Sequence, residues 1–558
     1  MPTCNAITIA GMKNTIKRII SSPAFHALVL LIGAAFLLTG AFHENLWFDE
    51  SYSVAIADHS FAEIWHIGSG DVHPVLFYWA LHIIRLLGGY VTEYRIFTVL
   101  GAVALAAIGL THLRRDFGWR VGLIYTTLAL FTPYVSYIAI EIRMYSWAAC
   151  MVMLSFVYAF RIMRLNRTSI PADGLPHAPW ARFMICSITA AYLHYFAVIS
   201  VFLVNLALLC FLIAHRRTRK GDLKTFWIQA ALQVALFAPW LSVLASQVGV
   251  VSNTYWAQFT FPDTLIALAR YPLITMQIDF AWKGDYGLIP RIVVWVVIIA
   301  LAILIALIVR ECIKRKRRPS LRKRLKYAYP KRDASWWRCA WHTLTSPSWF
   351  PAFLGIAIYV GLGVIAGLAS ILMHSFMVYF RYMFCAIGPL IFGIAWILFR
   401  LHRKRITIMF CLLFIAISSL NQLLIVQDDY SDKNNEFFDY MAEQIQEGDL
   451  VVSSDIGIMG VTSVYFPDLE QHYLDWQKGN WALAYSCYGD NLVIDSSWET
   501  MLNDYHGQFW VLGQSTDAVP PRDVTDLEQK DGITLLWSQQ VYRPYERGYY
   551  TIALMYKE

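Results

Sequence analysis

The chain has 558 residues, 57% of them hydrophobic and only 15% charged, with a mean hydropathy of +0.46, a balance that soluble domains of this size do not show. Its net charge of +7 is segregated: residues 1–426 hold 39 of the 46 Lys+Arg, whereas 427–558 hold 7 against 23 Asp+Glu. The total therefore describes no single surface and gives no basis for a nucleic-acid partner. Nine cysteines show no CxxC spacing, and only Cys487 lies beyond residue 426, so neither a disulfide framework nor a cysteine metal site is expected. Lys13, Lys17 and Arg18 precede an apolar run with no small-x-small cleavage pattern before Leu46-Trp47-Phe48. That pattern reads as an uncleaved first span.

A bilayer core of ~30 Å takes ~20 apolar residues per helix. Eleven segments qualify: 25–42, 91–113, 121–139, 145–163, 183–195, 196–214, 226–248, 292–309, 353–373, 383–399 and 406–426. A twelfth, 74–89, has 16 residues and contains His82 and Arg85, which suits an amphipathic helix lying on the membrane. With a cytoplasmic N-terminus, this arrangement puts 32 Lys+Arg inside and 7 in external membrane loops, as the positive-inside rule requires. If 74–89 did span, an external N-terminus would misplace only Lys13, Lys17 and Arg18, so length and Arg85 carry the choice. The acidic tail reads as soluble α/β, with a polar helix near 434–446, a turn at Glu447-Gly448-Asp449, a strand at 450–453, and β-rich runs at 509–512 and 548–555. At roughly 130 residues it can build its own small core. The expected fold is a polytopic α-helical membrane protein of about eleven spans (1–426, with external loop 43–90 carrying the interfacial helix) followed by an extracytoplasmic α/β domain (427–558). The plasma (inner) membrane is the expected location.

The first external loop reads Leu46-Trp47-Phe48-Asp49-Glu50-Ser51-Tyr52-Ser53 and ends Asp71-Val72-His73-Pro74. Carboxylates beside an apolar aromatic run are desolvated, which raises their proton affinity and makes one of them a candidate base. The alternative is that Asp49 and Glu50 cap the next helix. His73 is either functional or an interfacial anchor. The second loop reads Ile140-Glu141-Ile142-Arg143-Met144-Tyr145, and a third turn reads Tyr379-Phe380-Arg381-Tyr382. Arg143 and Arg381 break the positive-inside rule, and arginine suits bidentate phosphate binding. An external lipid phosphate is their natural ligand; pairing with Glu141 or with lipid headgroups is the plainer alternative.

This ordered series resembles the C-type glycosyltransferases (GT-C), which use polyprenyl-phosphate sugars. Within them it is most similar to bacterial relatives of the protein O-mannosyltransferases (glycosyltransferase family 39) and of the lipid A aminoarabinose transferases. Trp47-Phe48-Asp49-Glu50, Asp71-Val72-His73-Pro74 and Glu141 with Arg143 and Tyr145 carry the resemblance. His194-Tyr195-Phe196, Pro239-Trp240-Leu241 and Arg381-Tyr382 with Pro389 extend it. Two departures stand out: Val75 follows Pro74 where the mannosyltransferases have a second proline, and the second-loop acid is Glu141 in place of Asp. The resemblance implies that Asp49 is the catalytic carboxylate, that Glu141 sits near the acceptor or a metal, and that the external arginines grip the lipid phosphate.

The candidate set is therefore Asp49, Glu50 and Glu141 as catalytic groups, with Arg143, Arg381, His73, Tyr145, Tyr382 and His194 binding the donor phosphate or substrate. No cofactor is certain, and Asp49, Glu141 and His73 could hold a divalent metal ion. The expected reaction is an inverting displacement from a polyprenyl-phosphate-linked sugar to the hydroxyl of a lipid, protein or cell-wall glycan acceptor at the outer face, among membrane lipids. A flippase or transporter of lipid-linked sugars is the alternative, although its site would lie nearer mid-membrane. An inactive scaffold is the third.

Overall fold

The computed structural model describes residues 14–133, 135–164, 178–254, 349–374, 376–475, 480–495, 497–502 and 505–558, together with single residues 12, 271, 299, 302, 303, 306 and 310. Helix α1, Pro23–Leu38, starts where Ser22 accepts from the Phe25 amide and Pro23 presets the first turn. It follows the helix Asn14–Ile20 across a bend of 56°.

The first loop is itself helical. It folds into α2 (Phe48–Ala57), α3 (Phe61–Gly68) and α4 (Leu76–Leu86), with Ser60 and Glu63 forming a capping box on α3. The 11 residues of α4 rise only ~16 Å, about half of a bilayer core of ~30 Å, so segment 74–89 does not span. Its end exposes Ile83, Leu86 and Leu87, the apolar surface an interfacial helix offers to lipid.

The bundle continues with α5 (Val91–Phe117), α6 (Trp119–Phe131), α7 (Val135–Ile140), α8 (Tyr145–Arg164), α9 (Ala178–Leu193), α10 (Tyr195–Ala214), α11 (Lys220–Thr254), α12 (Phe350–Met373), α13 (Phe380–Leu401) and α14 (Lys404–Asp429). Among the described residues, 7 helices are long and apolar enough to cross a membrane, or 8 if the bent pair at the N-terminus is one span. The chain is thus a multi-pass membrane protein. Ten of the eleven expected spans fall on helices; segment 292–309 lies outside the described residues apart from isolated positions. Segment 121–139 is not one continuous helix. It breaks at Thr132-Pro133 between α6 and α7, because proline lacks the amide that an unbroken helix needs. Helix α8 is the centre of the bundle, buried along most of its length against α5, α9, α10 and α13. Helices α5 and α6 meet at Gly109 and Gly122, where an added Cβ on Gly109 would lie 2.6 Å from the Gly122 carbonyl. Small residues there let the backbones touch.

The tail forms a 6-stranded sheet in the order β3-β2-β1-β4-β6-β5. Its strands are β1 (Val451–Ser453), β2 (Gln471–Leu474), β3 (Leu492–Asp495), β4 (Gly507–Ser515), β5 (Ile533–Arg543) and β6 (Gly548–Lys557). The first four are parallel, and β6 and β5 complete the sheet as an antiparallel hairpin. Helices α15 (Glu436–Gln444), α16 (Ile456–Tyr465) and α17 (Arg522–Glu528) accompany it. The expected turn is present, with Gly448 at φ 92°. The strands β2, β3 and β5 went unread because they are short or alternate weakly.

The tail sits directly on the membrane helices. Arg543, fully buried, donates to the Leu46 carbonyl at 3.1 Å, Tyr465 donates to the Glu44 carbonyl at 2.8 Å, and Arg547 grips Asp428 with two nitrogens at 2.7 and 3.0 Å. A single buried apolar core runs from the helix bundle into α15 and α16. A second, smaller core lies within the tail, around Val452, Phe509 and Leu527.

Candidate active site

Asp49 and Glu50 occupy the first turn of α2, but the cap is Trp47 and no side chain closes it. The two acids do not serve as caps. Successive helical residues point ~100° apart, and this rotation sends the two carboxylates to different arginines. Asp49 Oδ2 accepts from Arg381 Nη1 at 2.5 Å. Glu50, 0% exposed, faces the bundle and binds Arg95 in a two-pronged pair at 2.6 and 3.1 Å. Its oxygens also accept from the Ile142 amide at 2.9 Å and from the Tyr545 hydroxyl of the tail.

Arg381 comes from the first turn of α13. Its guanidinium lies over Trp47 at 4.9 Å and Tyr379 at 5.0 Å, a flat cation held by aromatic faces. Its Nη1 is also 3.6 Å from Glu141 Oε1. Arg143, in the turn between α7 and α8, donates to the Asp49 carbonyl at 3.1 Å and to Ser53 at 3.2 Å. Its Nη2 is 3.3 Å from His73 Nδ1. A guanidinium offers only hydrogens, so His73 accepts through Nδ1 and its own proton lies on Nε2. Burial, reinforced by Arg143, lowers the His73 pKa and keeps the ring neutral. Asp71 takes the hydroxyl of Tyr78 at 2.9 Å and faces His73 at 3.6 Å.

Asp49, Asp71, His73, Arg143 and Arg381 open onto one cavity of about 860 Å³. Its membrane-side wall includes Trp47, Asp49, Tyr52, Asp71, His73, Arg143, Tyr145, Arg381 and Tyr382. The tail supplies the opposite wall, from Asp455, Trp481, Tyr485, Gln514, Arg522 and neighbours. The docking is close: an added Cβ on Gly70 would lie 2.9 Å from the Ala484 amide, and one on Gly460 would lie 3.1 Å from the Phe48 ring.

Six of the nine sequence candidates, Asp49, His73, Arg143, Tyr145, Arg381 and Tyr382, line this cavity. Glu50, Glu141 and His194 stand behind its wall. Glu50 is committed to Arg95. Glu141 is 3% exposed, and neither of its oxygens accepts a hydrogen bond from a described residue. Burial, against the pull of Arg381, raises its pKa to about 8, so it is protonated at neutral pH. His194 is the break between α9 and α10; its Nδ1 caps α10 by accepting from the Phe196 amide at 3.1 Å. Its ring packs on His73, Tyr145 and Tyr382 at 5.2, 5.4 and 5.5 Å.

A divalent ion does not fit the Asp49, Glu141 and His73 set. Among the described residues, no group of three His, Cys, Asp or Glu side chains is close enough to hold a metal. Arg381 itself pairs with Asp49 and lies 3.6 Å from Glu141.

Sequence reading missed Arg95, Tyr545 and the entire tail wall. Arg95 carried a usable signal, since an arginine inside an apolar span marks a partner or a site. Tyr545, Trp481 and Gln514 carried none, because their place depends on how the sheet docks.

No protein-family model matches the chain, and no curated protein sequence matches it. Solved structures similar to it include two of ArnT. ArnT from Cupriavidus metallidurans in the apo state is 10% identical with a TM-score of 0.46, the match covering 95% of this chain and 98% of that one. ArnT from the same organism bound to undecaprenyl phosphate is 10% identical with a TM-score of 0.45, covering 95% and 97%.

Proposed function

We propose that the chain is a GT-C-type membrane glycosyltransferase that moves a sugar from a polyprenyl-phosphate carrier to an acceptor hydroxyl at the extracytoplasmic face. The observation that carries this reading is the convergence of Asp49, Arg143 and Arg381 on one cavity at the helix ends, closed by the tail. Buried arginines held by aromatic rings and hydrogen bonds are preorganised for a phosphate and cost little rearrangement when charge develops. Their position at the ends of helices lets a lipid-linked donor reach them from the bilayer. The excess of Lys and Arg on the other side, 32 against 7 in the external membrane loops, supports an external site, a cytoplasmic N-terminus and an extracytoplasmic tail in the plasma (inner) membrane.

In the proposed reaction the donor phosphate binds Arg381 and Arg143, drawing Arg381 away from Asp49. The released carboxylate takes the proton of the acceptor hydroxyl as that oxygen attacks the anomeric carbon on the face opposite the phosphate. The carbon–oxygen bond to phosphate breaks, polyprenyl phosphate leaves with the electron pair, and the configuration inverts. Asp49 then returns its proton to water. Protonated Glu141 leaves the charge of Arg381 uncancelled. Glu50 acts through structure, locking the first turn of α2 against α5 and the tail. No step passes through a metal.

The test is to incubate the purified chain with a radiolabelled polyprenyl-phosphate sugar and a mixture of envelope lipids, peptides and glycans. Transfer of label with inverted configuration and release of carrier phosphate is the expected result. Movement of intact donor across a vesicle bilayer without its cleavage would replace this reading with a flippase.

A further inference from the structure

The tail's share of the cavity wall comes from one place in its sheet. Strand β1 lies between β2 and β4, all three parallel. The chain leaves β1 through Ser454-Asp455 into α16 and returns on the β2 side, whereas it leaves β4 towards α17 on the other. Connections that diverge from neighbouring parallel strands leave a crevice at their carboxyl ends, which is where open α/β sheets bind ligands. Here that crevice opens into the cavity: Asp455 from the β1 loop and Gly457 from the first turn of α16 line it beside Gln514 from the end of β4. Its two sides meet, with Gln514 Nε2 3.4 Å from Asp455 Oδ1. Glycine at 457 permits this, since an added Cβ would lie 2.5 Å from Gln514 Nε2.

The chemistry of this wall differs from that of the membrane side. Trp481 and Tyr485 add aromatic surface to the same cavity. The charged groups of this wall are Asp455 and Asp523 against Arg522, with Glu546 paired to Arg543, so it offers an anion no excess of positive charge where Arg143 and Arg381 do. Asp523 is already committed, accepting from the Ser454 amide at 2.6 Å and from Ser453 at 3.2 Å. Asp455 caps α16, its Oδ1 accepting from the Gly457 amide at 2.8 Å, and burial raises its pKa to about 6. Aromatic surface plus a few oriented polar groups is the composition that binds a polyhydroxylated ring.

We infer that this crevice is the acceptor subsite of the reaction proposed above, on which the inference rests, and that it takes a neutral saccharide. The sugar packs on Trp481 and Tyr485 and hydrogen-bonds to Asp455 and Gln514. An anionic acceptor is disfavoured by the same wall.

The test uses the full chain in lipid nanodiscs and saturation-transfer NMR with the neutral methyl glycosides of glucose, galactose, mannose and N-acetylglucosamine, with glucose 1-phosphate as the anionic probe. At least one neutral glycoside is expected to receive saturation, and Trp481→Ala to bind it about tenfold more weakly, the size of losing one stacked ring. Gln514→Ala, at an exposed position, covers the case in which Trp481→Ala fails to fold, and weakens the same glycoside. Both variants keep wild-type affinity for a polyprenyl phosphate measured on the same discs. No contact by any neutral glycoside, stronger contact by glucose 1-phosphate, or wild-type glycoside affinity in both variants overturns the subsite. Failure of the wild-type protein to bind a polyprenyl phosphate, with glycoside binding intact, removes the transfer reading and leaves the saccharide site standing.

Discussion

Glu50 and Arg95 form a fully buried, two-pronged ion pair, 0% exposed on both sides, and the tail completes it through the hydroxyl of Tyr545. Arg95 also donates to the Ile140 carbonyl at 3.0 Å, and Glu50 accepts from the Ile142 amide at 2.9 Å. The pair therefore ties the first turn of α2, the turn bearing Glu141 and Arg143, and the β5–β6 hairpin into one unit. Removing one partner leaves a buried charge uncompensated, at a cost of ~3–5 kcal/mol. Arg95→Met should lower the thermal midpoint in detergent strongly, and the double variant Glu50→Gln/Arg95→Met should recover part of that loss. A double variant no more stable than Arg95→Met would show that the charge pairing is not what holds the turn.

Asp49 is partly exposed to the cavity, and its ion pair with Arg381 is less enclosed than that of Glu50. General-base catalysis contributes ~10²- to 10⁴-fold, so Asp49→Asn should lower turnover by about that factor while the thermal midpoint stays near wild type. Turnover within a few-fold of wild type takes Asp49 out of the base role.

Arg381 should act mainly on donor affinity. Arg381→Ala is expected to raise the donor KM by about tenfold or more, the scale of a lost charge-assisted contact. Arg381→Lys should recover only part of the loss, since an ammonium offers neither the fork nor the flat face that rests on Trp47. An unchanged donor KM in both variants would detach the arginine from the phosphate.

Glu141 sets a pH dependence whose sign follows from its raised pKa of about 8. Below that value the group is neutral; above it, a negative charge appears 3.6 Å from Arg381 and competes with the donor phosphate. Donor KM should therefore rise as pH passes about 8, and Glu141→Gln should flatten that limb. The folded state keeps a proton that the unfolded chain has already released, so the same group makes the fold less stable as pH rises from the ordinary carboxylate range through about 8. Melting curves across that interval, with Glu141→Gln as the control, check the second effect.

Tyr545→Phe removes two hydrogen bonds, the one the hydroxyl donates to the buried Glu50 carboxylate and the one it accepts from Arg95 at 3.2 Å, and leaves every cavity-lining side chain in place. A bond to a charged group contributes ~1.5–3 kcal/mol, so the tail should become more susceptible to limited proteolysis and turnover should fall with donor KM little changed. Proteolysis and turnover both equal to wild type would mean that the remaining contacts dock the tail without it.

Much of this molecule is written in local pattern. Apolar run length determines the spans because the bilayer admits only backbone whose hydrogen bonds are satisfied internally, and this is why ten expected segments coincide with helices. The short run 74–89 with its internal Arg85 is likewise legible as a non-spanning helix. Asp49, Arg143 and Arg381 could be singled out because charges at the ends of apolar helices are few. Tertiary structure decided what local pattern cannot encode. The pairing of Glu50 with Arg95 and of Asp49 with Arg381, 45 and 332 residues away, and the tail wall of Trp481 and Gln514 depend on packing between segments distant in the chain. The sequence by itself placed the acids and arginines at the mouth of a membrane bundle. Only the folded chain separated the exposed acid from the buried one and put the β1–β4 crevice over them, because burial and docking are properties of surfaces that no single segment possesses.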